Sequence, residues 1–326
     1  MKTYNFYNGR SALDYGIKTL SLKKNSKILV PEIICDVAVK VFLRNELKIV
    51  FYRLDVNFQP IWTELSKKIE KNVGAILMVH FFGYPQNFNK FLNFSKQNKI
   101  YLIEDNCHSL NIKYKKKILG KIGDIGVDSP RKIIPNLYSG GRLYTKKTNN
   151  IFFKTVSIYK PNFFEKIKKK IKFAFPNLHK KIIFSGKRPN YESPYLNSDQ
   201  DNNFDIKKMD YISENILKKI NFKKESLLRY KRLKRINHFA KINRIKPIFK
   251  IKKGIIPMHF VGILNNNKDV KKILDWGWVN KIEILSWPSF YSGTKLNKRL
   301  LHRWRKYIFI PLNQKLNGTT LTKIKF

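Results

Sequence analysis

The chain has 326 residues, 43% hydrophobic and 14% aromatic, which excludes a globally disordered polypeptide and leaves room for a full buried core over two domains. Its 67 basic residues against 22 acidic ones give a formal net charge of +45. The lysines are scattered through every segment and no nucleic-acid-binding motif accompanies them, so the expectation is a solvated basic surface able to gather an anionic substrate, with no specific nucleic acid as partner.

The N-terminus, Met1 to Asn8, has no apolar signal core, and no apolar run in the chain approaches the eighteen or so residues of a membrane span. Asn8-Gly9-Arg10-Ser11 then leads into an amphipathic stretch in which Ala12, Leu13, Ile17 and Leu20 recur at helical spacing. A glycine, a cation and a hydroxyl beside the free N–H groups of a helix start are suited to holding a phosphate; an ordinary serine N-cap is the plainer alternative. Strands follow at Ile28–Pro31, Lys48–Tyr52, Gly74–Gly83 and Ile100–Asp105, with helices at about 36–45, 61–69 and 88–96 between them. Strands alternating with helices predict a mostly parallel sheet with right-handed crossovers. Cys35 and Cys107 are too few for a disulfide framework and stand in no metal-ligand spacing, so a reducing cytoplasm is the expected compartment.

Tyr101-Leu-Ile-Glu-Asp105 delivers a carboxylate to the C-terminal edge of a buried strand, where open α/β sheets bind ligands. His80 also ends a strand and reads as a structural histidine rather than a catalytic one. Lys113 to Gly120 predicts a short hairpin, and Ile125-Gly-Val-Asp128 leads into Ser129 and Lys132. Gly140-Gly141 permits a tight turn into an antiparallel strand at Arg142–Thr145. A carboxylate, a hydroxyl and an amine can thereby converge on one crevice, the trio that a pyridine-aldehyde cofactor requires.

From 151 to 204 the chain is rich in Lys, Phe, Pro and Asn. Phe164, Ile167, Ile171 and Ala174 share one helical face, with lysines over much of the rest. Packing of the apolar face on the protein is favoured over peripheral contact with an anionic membrane. Residues 193–203 read as a linker, 206–243 as a long helix or helix pair, and the tail returns to strands at Ile255–Gly262 and Tyr307–Leu312 with a helix at 268–277. The predicted class is α/β: a three-layer αβα large domain over 1–204, with 151–204 as a basic excursion, and a smaller α+β domain over 205–326.

In their order, Gly9-Arg-Ser-Ala-Leu13, Val79-His-Phe-Phe-Gly83, Ile103-Glu-Asp-Asn-Cys-His108, Ser129-Pro-Arg-Lys132 and Gly140-Gly141 resemble the DegT/DnrJ/StrS family of PLP-dependent sugar aminotransferases, within the fold-type I aspartate aminotransferase superfamily. The resemblance implies pyridoxal 5'-phosphate as cofactor and a homodimer that moves an amino group from an amino acid, glutamate foremost, to a nucleotide-linked keto sugar. It makes Lys132 the lysine that joins the cofactor and shuttles a proton, and Asp105 the partner of the pyridinium nitrogen. It places His108 beside the ring, Ser129 near the phosphate, and Arg10 and Ser11 in the phosphate-binding turn. Two positions depart from the family: Cys35 stands near where many members place a stacking aromatic, and Ser139 where an acidic residue often precedes the glycine pair. A sugar dehydratase or a catalytically silent assembly protein is the alternative; retention of Lys132 argues against those dehydratases that replace it with histidine.

Overall fold

The structure, a computed structural model, describes residues 1–147, 150–175, 178, 182, 184–186, 205–252, 254–286, 290, 291, 293, 298–312 and 324. The linker expected at 193–203 lies outside these residues. Apolar runs form strands β2 (Lys27–Pro31), β3 (Lys48–Tyr52), β4 (Val73–Val79), β5 (Tyr101–Asp105) and β8 (Ile125–Asp128). Most are buried along nearly their whole length, as strands covered on both faces must be. They join β1 (Lys2–Phe6) and β9 (Gly141–Thr145) in a seven-stranded sheet of order β1-β9-β8-β5-β4-β2-β3. The ladders from β3 through β8 are parallel, and β9 runs antiparallel to both its neighbours. This is the α/β fold with a large, mainly parallel sheet expected from the alternation of elements. The hairpin strands β6 (Lys113–Tyr114) and β7 (Lys117–Ile118) stand apart as a two-stranded ribbon.

Helix α1 (Gly9–Thr19) packs on β8 and β9 and against α2 (Asp36–Arg44). Gly16 lies against Leu143 and Ile125, where a Cβ would come within 2.8 Å and 2.9 Å of their side chains. The short helix α3 (Trp62–Ser66) precedes β4, and helix α4 (Phe88–Gln97) buries Phe88, Phe91 and Phe94 and packs on β4 and β5. The predicted strand through Gly83 ends early, at Val79, because Phe82 and Gly83 both take positive φ, 57° and 94°. The resulting turn is wedged between two other segments: a Cβ on Gly83 would lie 2.4 Å from the His108 carbonyl oxygen and 2.8 Å from Pro257 Cα.

A second sheet, β10 (Lys246–Pro247), β11 (His259–Ile263) and β12 (Tyr307–Pro311), is antiparallel. Its period-two alternation is used on both faces. Val261, Tyr307 and Phe309 belong to the core of the large sheet, while Phe260, Ile308 and Ile310 pack with Leu233, Ile236 and Phe239 of the helix Phe222–Ile242. The long helical stretch is a pair, Tyr211–Lys219 and Phe222–Ile242, with Asn221 capping the second by accepting from Lys224 N–H. The strand expected from Ile255 begins only at His259, because the preceding residues pass under the Phe82 turn, where Met258 N–H donates to Phe82 O at 2.6 Å.

After the short helix α5 (Asn150–Thr155), helix α6 (Phe163–Ala174) corrects one expectation. Its apolar face does not pack on the protein: Phe163 is 71% and Phe164 72% exposed, with Ile167, Ile171 and Phe175 also outward. Among the described residues no helix is long and apolar enough to cross a membrane.

Candidate active site

The site forms where β5, β8 and the start of α1 meet. Asp105 ends β5, and its backbone carbonyl accepts from His80 N–H at 2.9 Å. One of its carboxylate oxygens accepts from Cys107 N–H at 2.8 Å, an Asx turn rather than the helix cap such a position could have supplied. The next residues carry His108 to Lys132: Lys132 Nζ lies 3.4 Å from His108 Nε2. The opposite nitrogen of that ring, Nδ1, accepts from Phe82 N–H at 3.2 Å, and the imidazole stacks on the Phe82 ring with an interplanar angle of 11°. Lys132 sits in the short turn Pro130–Lys132 directly after β8.

At the other end of the crevice a Cβ on Gly9 would lie 3.0 Å from Cys107 Sγ and 3.7 Å from Ser129 Cβ. The first residue of α1 thus closes against the ends of β5 and β8, a cradle that a larger side chain would fill. Asn8, not Ser11, is the N-cap, accepting from Ser11 N–H at 2.8 Å. Ser11 Oγ donates to Asp205 O at 3.2 Å, and Ser129 Oγ donates to Gly140 O at 3.2 Å. Arg10, half-buried, follows Gly9 on the first turn of α1. Gly141 admits no side chain, since a Cβ there would meet Asn8 O at 2.1 Å.

Electrostatics link the two ends. The thiols of Cys35 and Cys107 are both pushed up, chiefly by burial, and both feel the Asp105 carboxylate and the opposing pull of Lys132. Four side chains therefore share one crevice. Its floor carries two neutral imidazoles: burial holds His108 well below the usual imidazole range, with Lys132 and then His259 adding to the effect. Burial likewise pushes His259 down to about 3, helped by Arg229 and Lys132. Cations and neutral imidazoles on one side and a carboxylate on the other suit a ligand with an anionic group and a protonated ring nitrogen.

Stability should follow the His259 ring. Above about pH 6.5 it is neutral in both folded and unfolded chains; below that, down to about pH 3, only the unfolded chain takes up the proton. Stability is then lost as pH falls through this window, by about 1.4 kcal/mol per unit from this ring, with His108 acting in the same sense. Urea midpoints at pH 7.5 and 5.5 check this. Substituting His259→Gln should flatten the dependence, and an unaltered slope would contradict it.

Several residues that sequence reading passed over support the site. Glu104, wholly buried, accepts from Gly120 N–H at 2.7 Å, Ile122 N–H at 2.6 Å and Gly123 N–H at 3.2 Å, and from His80 Nε2 at 2.8 Å. His80 is thus structural, as its strand-end position implied. Asp128 is bound by Arg142 Nε at 2.9 Å and by Tyr144 OH at 2.7 Å. At the second departure, Ser139 Oγ donates to Asp210, whose backbone N–H returns a bond to the same hydroxyl at 2.9 Å. A carboxylate therefore reaches the loop before the glycine pair from 71 residues away. The only sequence signal for it was the helix-start pattern Asp210-Tyr-Ile-Ser213.

A lysine, a carboxylate and a hydroxyl thus stand at the C-terminal edge of a mainly parallel sheet, the edge at which open α/β sheets bind ligands. Residues 4–151, the stretch that carries the large sheet and its crevice, match the model of the DegT/DnrJ/EryC1/StrS aminotransferase family. GDP-perosamine synthase of Escherichia coli O157:H7 is 26% identical over 123 residues, 37% of this chain and 34% of that protein; the matched stretch thus spans about a third of the curated relative. Helicobacter pylori PseC, an aminotransferase involved in the biosynthesis of pseudoaminic acid, superposes with a TM-score of 0.72 at 17% identity, covering 98% of this chain and 85% of PseC. The E. coli GDP-4-keto-6-deoxy-D-mannose-3-dehydratase with bound hydrated PLP gives 0.60 at 18% identity, covering 95% of this chain and 83% of its own. At these identities the two solved structures establish the shared fold.

Proposed function

We propose that the chain is a PLP-dependent aminotransferase that moves an amino group from an amino acid, glutamate foremost, to a keto sugar carried on a nucleotide, working as a homodimer with its division into large and small domains near residue 205. The observation that carries this reading is the placement of Lys132 beside His108 in the crevice that also holds Asp105. Arg10, Ser11 and Ser129, around the cradle at Gly9, are the residues for the cofactor phosphate; Asp105 is the residue for the pyridinium nitrogen. Bound there, pyridoxal phosphate supplies an electron sink for the donor's α-carbon. Lys132 supplies the amine that holds the carbonyl and moves the proton, and Asp105 keeps the ring nitrogen charged. The cationic side chains of Lys132 and Arg229, beside the neutral His259, gather the anionic substrate.

Cys35, which brings no ring to the cofactor's face, favours a second reading: a family member with altered chemistry, such as a sugar dehydratase. Titration of the purified protein with pyridoxal phosphate should produce a visible absorption band that borohydride removes. Incubation with glutamate should then bleach the band, and a nucleotide-linked keto sugar should restore it. A band that glutamate leaves untouched would favour the altered chemistry, and no band at all would overturn both readings in favour of a silent family member.

A further inference from the structure

Helix α6 is amphipathic in the inverted sense. At about 100° per residue, Phe163, Phe164, Ile167, Ile171 and Ala174 occupy an arc of roughly 100°, and this arc faces solvent, with Ile167 36% and Ile171 38% exposed. The side turned to the protein is the polar one. Glu165 closes a capping box with Asn162 and accepts from Tyr159 OH at 2.6 Å, while Tyr159 packs on Tyr7 with ring centroids 4.1 Å apart. Lys169 sits over the Tyr138 ring at 4.7 Å. The helix is therefore held in place by its polar face, and the outward apolar stripe is not the result of a helix lying loose.

The stripe is edged by charge. Lys170 and Lys168 flank it on its two sides, Lys166 lies beyond, and all three are exposed. A second copy of this chain docked stripe to stripe would bring these same lysines against one another. Nucleic acid would use the lysines and could stack on phenyl rings, but has no use for Ile167 and Ile171. An apolar strip edged by lysines matches the boundary between acyl chains and anionic headgroups. We infer that helix α6 docks the protein on an anionic lipid surface, with Phe163, Phe164, Ile167 and Ile171 entering the acyl boundary and Lys166, Lys168 and Lys170 meeting the headgroups.

Co-sedimentation of the full chain with vesicles tests this, using phosphatidylcholine alone and a mixture of phosphatidylcholine with phosphatidylglycerol at physiological salt. The wild type should bind the mixed vesicles at least about tenfold more tightly than the neutral ones. A Phe163→Ser/Phe164→Ser double variant leaves the net charge unchanged and replaces two exposed rings, so its circular dichroism should match wild type while its vesicle affinity falls at least about tenfold. Equal binding by wild type and double variant would assign the attraction to the diffuse charge of the whole surface and overturn the proposal. Failure to bind the mixed vesicles, or no preference for them over neutral ones, would also overturn it. So would lipid-free self-association that the double variant abolishes, which would give the stripe to a second copy of the chain.

Discussion

Substituting Lys132→Ala is expected to lower the rate of amino transfer by about 10³-fold or more, because a positioned base alone contributes about 10²–10⁴-fold and the proposed function makes this lysine the nucleophile as well. The fold should survive. Lys132 is exposed, sits in a three-residue turn, and makes its side-chain contact with His108 rather than with the core, so its removal falls in the class of surface substitutions that change stability by about 0.5 kcal/mol at most. The measurement is a single turnover: the protein is loaded with pyridoxal phosphate, mixed with glutamate, and the visible band is followed in time. Added methylamine should restore part of the rate to the alanine variant, as a small amine can occupy the vacated space, and Lys132→Arg should not recover it, since a guanidinium stays charged and is a poor nucleophile. An alanine variant that turns over at the wild-type rate would remove Lys132 from the mechanism.

The other large effect is on stability. Glu104→Ala should cost about 3–5 kcal/mol, the scale for removing one member of a buried, fully hydrogen-bonded charged network. Three backbone N–H groups, those of Gly120, Ile122 and Gly123, converge on its carboxylate together with His80 Nε2, all in a region without solvent access to the side chain. Every one of these partners donates, because His80 Nδ1 is already the acceptor for Gln86 N–H at 3.0 Å. Glu104→Gln is therefore no rescue: whichever way the amide is turned, its NH₂ faces a donor. Denaturant midpoints of the two variants should both drop, alanine further, and an isosteric glutamine as stable as wild type would contradict the network's role. Because Glu104 fixes the end of β5 immediately before Asp105, both variants should also bind pyridoxal phosphate more weakly.

The parts of this molecule that were legible in the sequence are those set by local pattern. Apolar runs bounded by turn residues located β2 through β5 and β8, and the last residue of a buried strand located Asp105. What escaped is determined by partners distant along the chain. Nothing around Glu104 announces that residues 80 and 120–123 will converge on it, and nothing around Ser139 points to Asp210. β1 escaped for want of length, since Tyr4 and Phe6 give only two buried positions to the alternation. Helix α6 illustrates a different limit. Periodicity identifies which residues share a face, yet it is silent on which way the face points, and the assumption that apolar faces turn inward failed here because Glu165 and Lys169 found their partners on the protein instead.

The backbone of Phe82 has a bearing on proton inventory as well as on shape. Its carbonyl receives Met258 N–H from the run into β11, and its N–H is given to His108 Nδ1. With the imidazole neutral and Nδ1 engaged as an acceptor, the ring's single proton must reside on Nε2, the nitrogen that faces Lys132. His108 thereby carries its proton on the side of the amine and is disqualified as the base that would strip it. The covalent chain between residues 82 and 258 is long, but the two peptide groups that flank the Phe82 Cα tie the run into the small sheet to the nitrogen that sets the tautomer in the crevice.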